Sequence, residues 1–187
     1  MSDYPVLTAD DAPDASRETM RAVEAAFGFL PNLHGVLAHS PTLLKSYAAV
    51  TQAFGESSFD AVEQQVVLLS VSFENECTYC VAAHSTVADM VGMDASTLDA
   101  IRAGGDLPES KLSALAALTR EIVASRGYPS DETLRAFREA GYRPEQVLDV
   151  IAGIGLKTMS NYTNHLAHTP VDERFAAREW AGAGAGA

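Results

Sequence analysis

Both cysteines of the chain fall in one short stretch, Asn75-Glu76-Cys77-Thr78-Tyr79-Cys80-Val81-Ala82-Ala83-His84, and one of its five histidines follows four residues after the second. A thiol reacts as its thiolate, and the free N–H groups at a helix start favour that anion. An imidazole one turn away can take the proton or orient a water that does so. Two thiols at this spacing can also work in sequence: one thiolate attacks a peroxide O–O bond and becomes a sulfenic acid, and its neighbour resolves that acid to a disulfide. The same three side chains would supply three zinc ligands, with a fourth from His165 or His168. The plain alternative is two core cysteines and a satisfied histidine.

For these side chains to meet they must share a helix face. Asn75 has the character of an N-cap, and the residues after Cys80 suit a helix closing at Gly92. At about 100° per residue, Cys80 lies about 60° and His84 about 20° from Cys77 around the axis. Cys77, in the first turn, then feels the helix dipole most, Cys80 has His84, and Glu74 and Glu76 pull against a thiolate.

Composition narrows the classes of function. The 187 residues suit one domain over 1–180 with its own core, followed by an Ala/Gly low-complexity tail at 181–187 that is expected to be disordered. A net charge of -12 disfavours nucleic acid or an anionic membrane as partner. The N-terminus lacks a basic region followed by an apolar core, and no apolar run reaches the roughly 18 residues of a membrane span, so a cytoplasmic protein is expected. In a reducing compartment a Cys-x-x-Cys pair points to redox or metal chemistry rather than to a staple.

No stretch alternates long enough to predict a strand, whereas cap signals and helical periodicity recur, so the reading is all-α. Helices are expected over Asp14 to Phe27, around His34, from Ser40-Pro41 to Phe54, from Asp60 through the apolar run Val66 to Val71, and over the cysteine stretch. Further helices follow Asp94 up to Gly104, Pro108-Glu109 up to Gly127, Ser130 to Ala140, and Pro144 to His168. The last of these, with Glu145-Gln146-Val147 and His165/His168, faintly echoes Glu63-Gln64 and His84, as a repeat of helix pairs would.

The segment from Glu63 to Gly92 resembles the carboxymuconolactone decarboxylase and AhpD-like alkylhydroperoxidase family, whose motif is Glu, eleven residues, Cys-x-x-Cys, three residues, His. The stretches Gly28 to Leu33, Ala38 to Pro41 and Asn161 to His165 are similar to its peroxidase-related branch. The resemblance implies an all-α fold of paired helices and assembly as a homo-oligomeric dimer, trimer or hexamer. It also implies a cofactorless, antioxidant peroxidase or disulfide oxidoreductase, with Cys80 as attacking thiol, Cys77 as resolving thiol and His84 as proton relay. A hydroperoxide or other small molecule would be substrate, a thiol reductant or reductase the partner, and neither metal nor cofactor is implied. One departure stands out: the family glutamate falls at Gln65, and an amide takes no proton at neutral pH. Glu63 is two residues away, about 200° round the helix. Tyr79 sits where some members carry a histidine, and Asn164 with His165 would complete the site if the last long helix packs on the cysteine helix.

Two other readings remain open from sequence: a decarboxylase-type lyase on a small lactone acid, which the family name suggests but whose branch generally lacks paired cysteines, and a zinc-binding or redox-sensing oligomer. His34 and His39, near the Phe27-Gly28-Phe29 turn, would line an entrance or lie on the surface. Phe175 and Trp180 are expected to anchor the C-terminal segment. No phosphate loop, dinucleotide fingerprint or serine elbow is present.

Overall fold

Helix caps in the sequence set the boundaries of most elements. The structure is a computed structural model that describes residues 3–183, so the tail from 184 on lies outside the described residues. Among those residues there are helices and no strands. They are α1 (Asp14–Phe27), α2 (Asn32–Leu37), α3 (Pro41–Gly55), α4 (Ala61–Glu74), α5 (Thr78–Met90), α6 (Ala95–Ala103), α7 (Ser110–Ala124), α8 (Asp131–Glu139) and α9 (Gln146–Ala167), then a 3-10 turn, Glu173–Arg178. The Ser40, Asp94 and Ser130 side chains each accept from a backbone N–H of the first turn, and Asp60 with Glu63 forms a reciprocal capping box.

Helix α4 is the centre. Val66, Val67, Leu68, Leu69 and Val71 are buried, and α5, α7 and α9 pack around it. The approach of α9 depends on Gly153, where a Cβ would stand 2.7 Å from Val67 Cγ1 and 2.9 Å from Phe54 Cε2. Removing that side chain lets α9 lie against α3 and α4, and so brings residues 157–164 over the start of α5.

After α9 the chain folds back over the site. Asp172 accepts from the Asn32 N–H at 3.1 Å and from the Tyr79 hydroxyl at 2.6 Å, tying this segment to α2 and α5. Phe175 packs edge-on against Phe29 and Tyr79. Trp180 lies against Phe73 and donates from Nε1 to the Arg102 carbonyl, so Phe175 and Trp180 pin the segment at both ends.

Among the described residues, no helix is long and apolar enough to cross a membrane.

Candidate active site

The turn between α4 and α5 corrects the expectation that Asn75 caps the cysteine helix. Asn75 is instead the C-cap of α4, and its Nδ2 donates to Asn161 Oδ1 on α9. Glu76 follows with φ 52°, its N–H donating to the Phe73 carbonyl, and the Cys77 N–H reaches back to that of Ser72. Those two bonds are a Schellman ending with glutamate in the place usually held by glycine. The reversal makes Cys77 the N-cap of α5 and leaves Cys80 one turn inside the helix.

Both thiols are free and 1% exposed. Asn164 brings them to one point, its Nδ2 donating to Cys80 Sγ at 3.3 Å and to Cys77 Sγ at 3.8 Å. The Ser160 hydroxyl lies 3.7 Å from Cys80 Sγ. The decisive charge comes from Lys157 on α9, which is 1% exposed. Burial opposes a Cys80 thiolate, but the hydrogen bond from Cys77, the Lys157 ammonium and the Ser160 hydroxyl together outweigh it and hold Cys80 well below the ordinary thiol range. Cys77 goes the other way, raised by its hydrogen bond to Cys80, by burial and by repulsion from Cys80. Lys157 answers in kind: burial works against its charge, yet the Cys80 sulfur, then Tyr47 and Cys77, raise it. A buried thiolate and a buried ammonium thus cancel each other's desolvation cost.

The dipole argument, which favours Cys77, is therefore overridden: a full positive charge nearby outweighs a fractional one at the helix end. Glu74 and Glu76 are not among the groups that set either thiol.

His84 does not hydrogen-bond a sulfur. Its Nε2 lies 2.8 Å from Lys157 Nζ, and its Nδ1 lies 2.9 Å from Gln65 Oε1. An ammonium only donates, so Nε2 accepts, and the ring proton sits on Nδ1 facing the amide carbonyl. Burial, then the Lys157 charge, push the imidazole well below its usual range, so it is neutral. Gln65 therefore orients the ring and takes no proton from it.

The remaining candidates separate. Glu63 is spent elsewhere, accepting from the Asp60 N–H at 3.1 Å and from Lys111 Nζ at 2.7 Å. Tyr79 donates to Asp172 and accepts from the Leu33 N–H at 3.2 Å, and burial, then that Asp172 bond, raise its phenol. His165 is exposed and stacks on Tyr162, yet with Asn164 it lines a recess next to Cys77. Among the described residues no group of three His, Cys, Asp or Glu side chains is arranged to hold a metal.

Cys80 opens on a cavity of about 90 Å³ shared with Phe27, His34, Tyr47, His84 and Lys157. A larger groove, about 400 Å³, continues from it past Gln65 and Gln52. His34 is thus a wall of the cavity and not a surface residue. Its ring packs edge-on to Tyr47, its Nδ1 has no hydrogen-bond partner, and burial, then the Lys157 charge, lower it to about 4.

The motif from Gln65 to His84 lies within a longer family match. Residues 41–120, a little under half of the chain, match the carboxymuconolactone decarboxylase family. That match runs from α3 to α7 and bears out the resemblance read from the cysteine motif; Lys157, Ser160 and Asn164 lie beyond it. Solved structures extend the likeness to nearly the whole chain. An alkylhydroperoxidase AhpD core, an uncharacterized peroxidase-related protein from Ralstonia eutropha JMP134, aligns with TM-score 0.81 and 23% identity over 93% of this chain and 94% of its own. The debrominase Bmp8, in a variant complexed with 2,3,4-tribromopyrrole, aligns with TM-score 0.78 and 17% identity over 95% and 96%. A peroxidase-related protein from Silicibacter sp. TM1040 aligns with TM-score 0.78 and 16% identity over 95% and 96%. No curated protein matches. At these identities the structural matches establish the AhpD-like fold, and the chemistry must be argued from the site.

Proposed function

We propose that this protein is a cofactorless thiol peroxidase acting on small organic hydroperoxides. The observation that carries the reading is the buried Lys157 ammonium beside Cys80, with the protonated Cys77 held against it. The Cys80 thiolate attacks the terminal peroxide oxygen, the O–O bond breaks, and the leaving alkoxide takes a proton from Lys157 to depart as an alcohol. Cys80 is then a sulfenic acid and Lys157 a neutral amine. Lys157 accepts the Cys77 proton, the Cys77 thiolate attacks the Cys80 sulfur, and the displaced hydroxide regains that proton to leave as water. A dithiol must then return two electrons and two protons. His84 holds Lys157 in place, and His34, neutral and unpartnered, offers the polar contact for a peroxide oxygen inside an otherwise aromatic cavity.

The test is peroxide consumption by the Cys80→Ser protein under a range of thiol reductants, with thiols counted in the parent before and after one equivalent of peroxide. Activity surviving in the variant would sink the proposal, and the parent is expected to lose two thiols without cross-linking.

The aromatic walls, Phe27, Tyr47 and Phe175, favour a second reading: removal of a halogen from a small halogenated ring, as the fold neighbour acting as a debrominase suggests. The same sulfur pair would supply two electrons, and a proton would replace the halogen. Bromide release from 2,3,4-tribromopyrrole faster than alcohol formation from cumene hydroperoxide would decide for it. A lactone-acid lyase has no use for the second sulfur.

A further inference from the structure

The two sulfurs face different cavities. Cys80 lines the aromatic one with His34, His84 and Lys157. Cys77 lines another, a recess of about 270 Å³ whose walls include Thr78, Asn164, His165, His168 and Thr169. This second recess carries polar groups in want of a ligand. Asn164 is 5% exposed and Thr169 is 8% exposed, and Asn164 Oδ1 and Thr169 Oγ1 have no hydrogen-bond partner. Buried oxygens left unpaired disfavour folding, so two of them beside one sulfur mark a place where a polar molecule is held.

We propose that this recess is the docking site of the reductant, a slender polar dithiol, whose first thiolate attacks Cys77 Sγ of the oxidised pair. The inference rests on the redox reading of that pair. Position is one ground for it, since Cys77 and not Cys80 lines this recess. The leaving group is the other. In thiol–disulfide exchange the sulfur that leaves best is the one most stable as an anion. Attack on Cys77 expels Cys80 beside Lys157 and Asn164, whereas attack on Cys80 would expel Cys77, which its surroundings keep protonated.

The step balances. A sulfur–sulfur bond forms between the reductant and Cys77, the Cys77–Cys80 bond breaks, and its electron pair goes to Cys80. The proton given up by the first thiol ends on the Lys157 amine, restoring the ammonium. The second thiol then attacks the reductant's own sulfur in the mixed disulfide, and Cys77 leaves and takes that thiol's proton. The dithiol is oxidised by two electrons and the protein is reduced by two. Peroxide and reductant would thus enter by separate mouths, without competing for one cavity.

The test needs no variant. The full chain is oxidised with diamide, exposed briefly to 2-mercaptoethanol, quenched with N-ethylmaleimide and mapped by peptide mass spectrometry. The mercaptoethanol adduct is expected on Cys77 over Cys80 by about tenfold or more; an adduct on Cys80 in equal or greater amount would overturn the proposal. As a second arm, Thr78→Trp places a large ring in the recess. It is expected to slow reduction of the disulfide by dithiothreitol at least about tenfold more than it slows oxidation by peroxide, and an equal effect on both steps, or none on reduction, would count against the recess. Protein oxidised by diamide that gives the Cys77 adduct, and whose Thr78→Trp variant is reduced at least about tenfold more slowly, but that ignores peroxide would refute the peroxidase reading and leave the docking site standing.

Discussion

Lys157 Nζ lies 2.8 Å from His84 Nε2, although the two residues are 73 positions apart and on different helices. The contact makes His84 the support of a cation, where the motif alone casts it as a base for Cys80. Replacing Lys157 by Met keeps the volume and removes the charge. Burial is then left to push the Cys80 thiol up, and peroxide reduction at pH 7 is expected to fall about 30-fold or more, the loss of thiolate in a thiol of at least the ordinary value of about 8.5. Because the thiol can protonate once its partner is gone, the stability cost should be limited to the unpaired His84 Nε2, about 1–3 kcal/mol. A loss of rate that tracks a loss of folding would contradict the assignment.

The same pair predicts a pH profile. With Cys80 held well below the ordinary thiol range, it stays anionic as pH falls through about 8.5, where a free thiol would lose its reactivity. Alkylation of Cys80 by iodoacetamide should therefore be flat from pH 9 to 7 and decline only further down. In Lys157→Met the inflection should reappear at or above the ordinary value. An ordinary thiol profile in the parent would refute the ion pair.

Gln65→Glu restores a carboxylate beside His84 Nδ1, and a neighbouring anion favours the imidazolium. The His84 ring proton resonances, expected not to titrate between pH 5 and 8 in the parent, should titrate inside that window in the variant. No titration in either protein would show that Lys157 alone dictates the state of the ring.

His34 carries a stability signature. Its folded value of about 4 is below the usual 6.5, so between those values the unfolded chain binds more protons and stability drops as pH falls. The full effect is on the order of 3 kcal/mol, reached below about pH 4. His34→Phe should flatten the acid limb of urea-unfolding free energy against pH while lowering kcat/KM for hydroperoxide. An unchanged acid limb would mean that the ring is solvated.

Glu76 holds a left-handed conformation that glycine adopts freely, at φ 52°. Glu76→Gly should therefore stabilise the protein by about 0.5–1 kcal/mol, or roughly 1–4 °C in melting temperature. A lower melting temperature would show that the glutamate side chain contributes more than its backbone costs.

The helices were legible because their signals are local. Asp60 with Glu63, Ser40 with Pro41, and Ser130 mark starts within a few residues, and the Val66–Val71 run marks α4 as central. Asn75 misled because its cap-like character was local too, while the Schellman turn that ends α4 puts a glutamate where glycine is the usual signal. Gln65, singled out by its spacing from the cysteines, lies against His84 Nδ1. Lys157 was missed although a trace existed. Val150, Gly153, Leu156, Lys157, Ser160 and Asn164 share the buried stripe of α9, so a lysine, a serine and an asparagine sit at core positions, as polar residues do when they have partners to satisfy. Which partners they meet depends on how closely α9 can approach, which is a matter of Gly153 and Phe54 and is not written in any motif.

The tether from Asp172 to Tyr79 and Asn32 has a bearing on how the molecule is made. The wall formed by Phe175, and the cation and amide supplied by α9, follow the sulfurs by roughly 75 to 100 residues. During synthesis the thiols therefore emerge unshielded and without their charge partner, and gain both only when α9 and the segment through Phe175 have left the ribosome and closed over them.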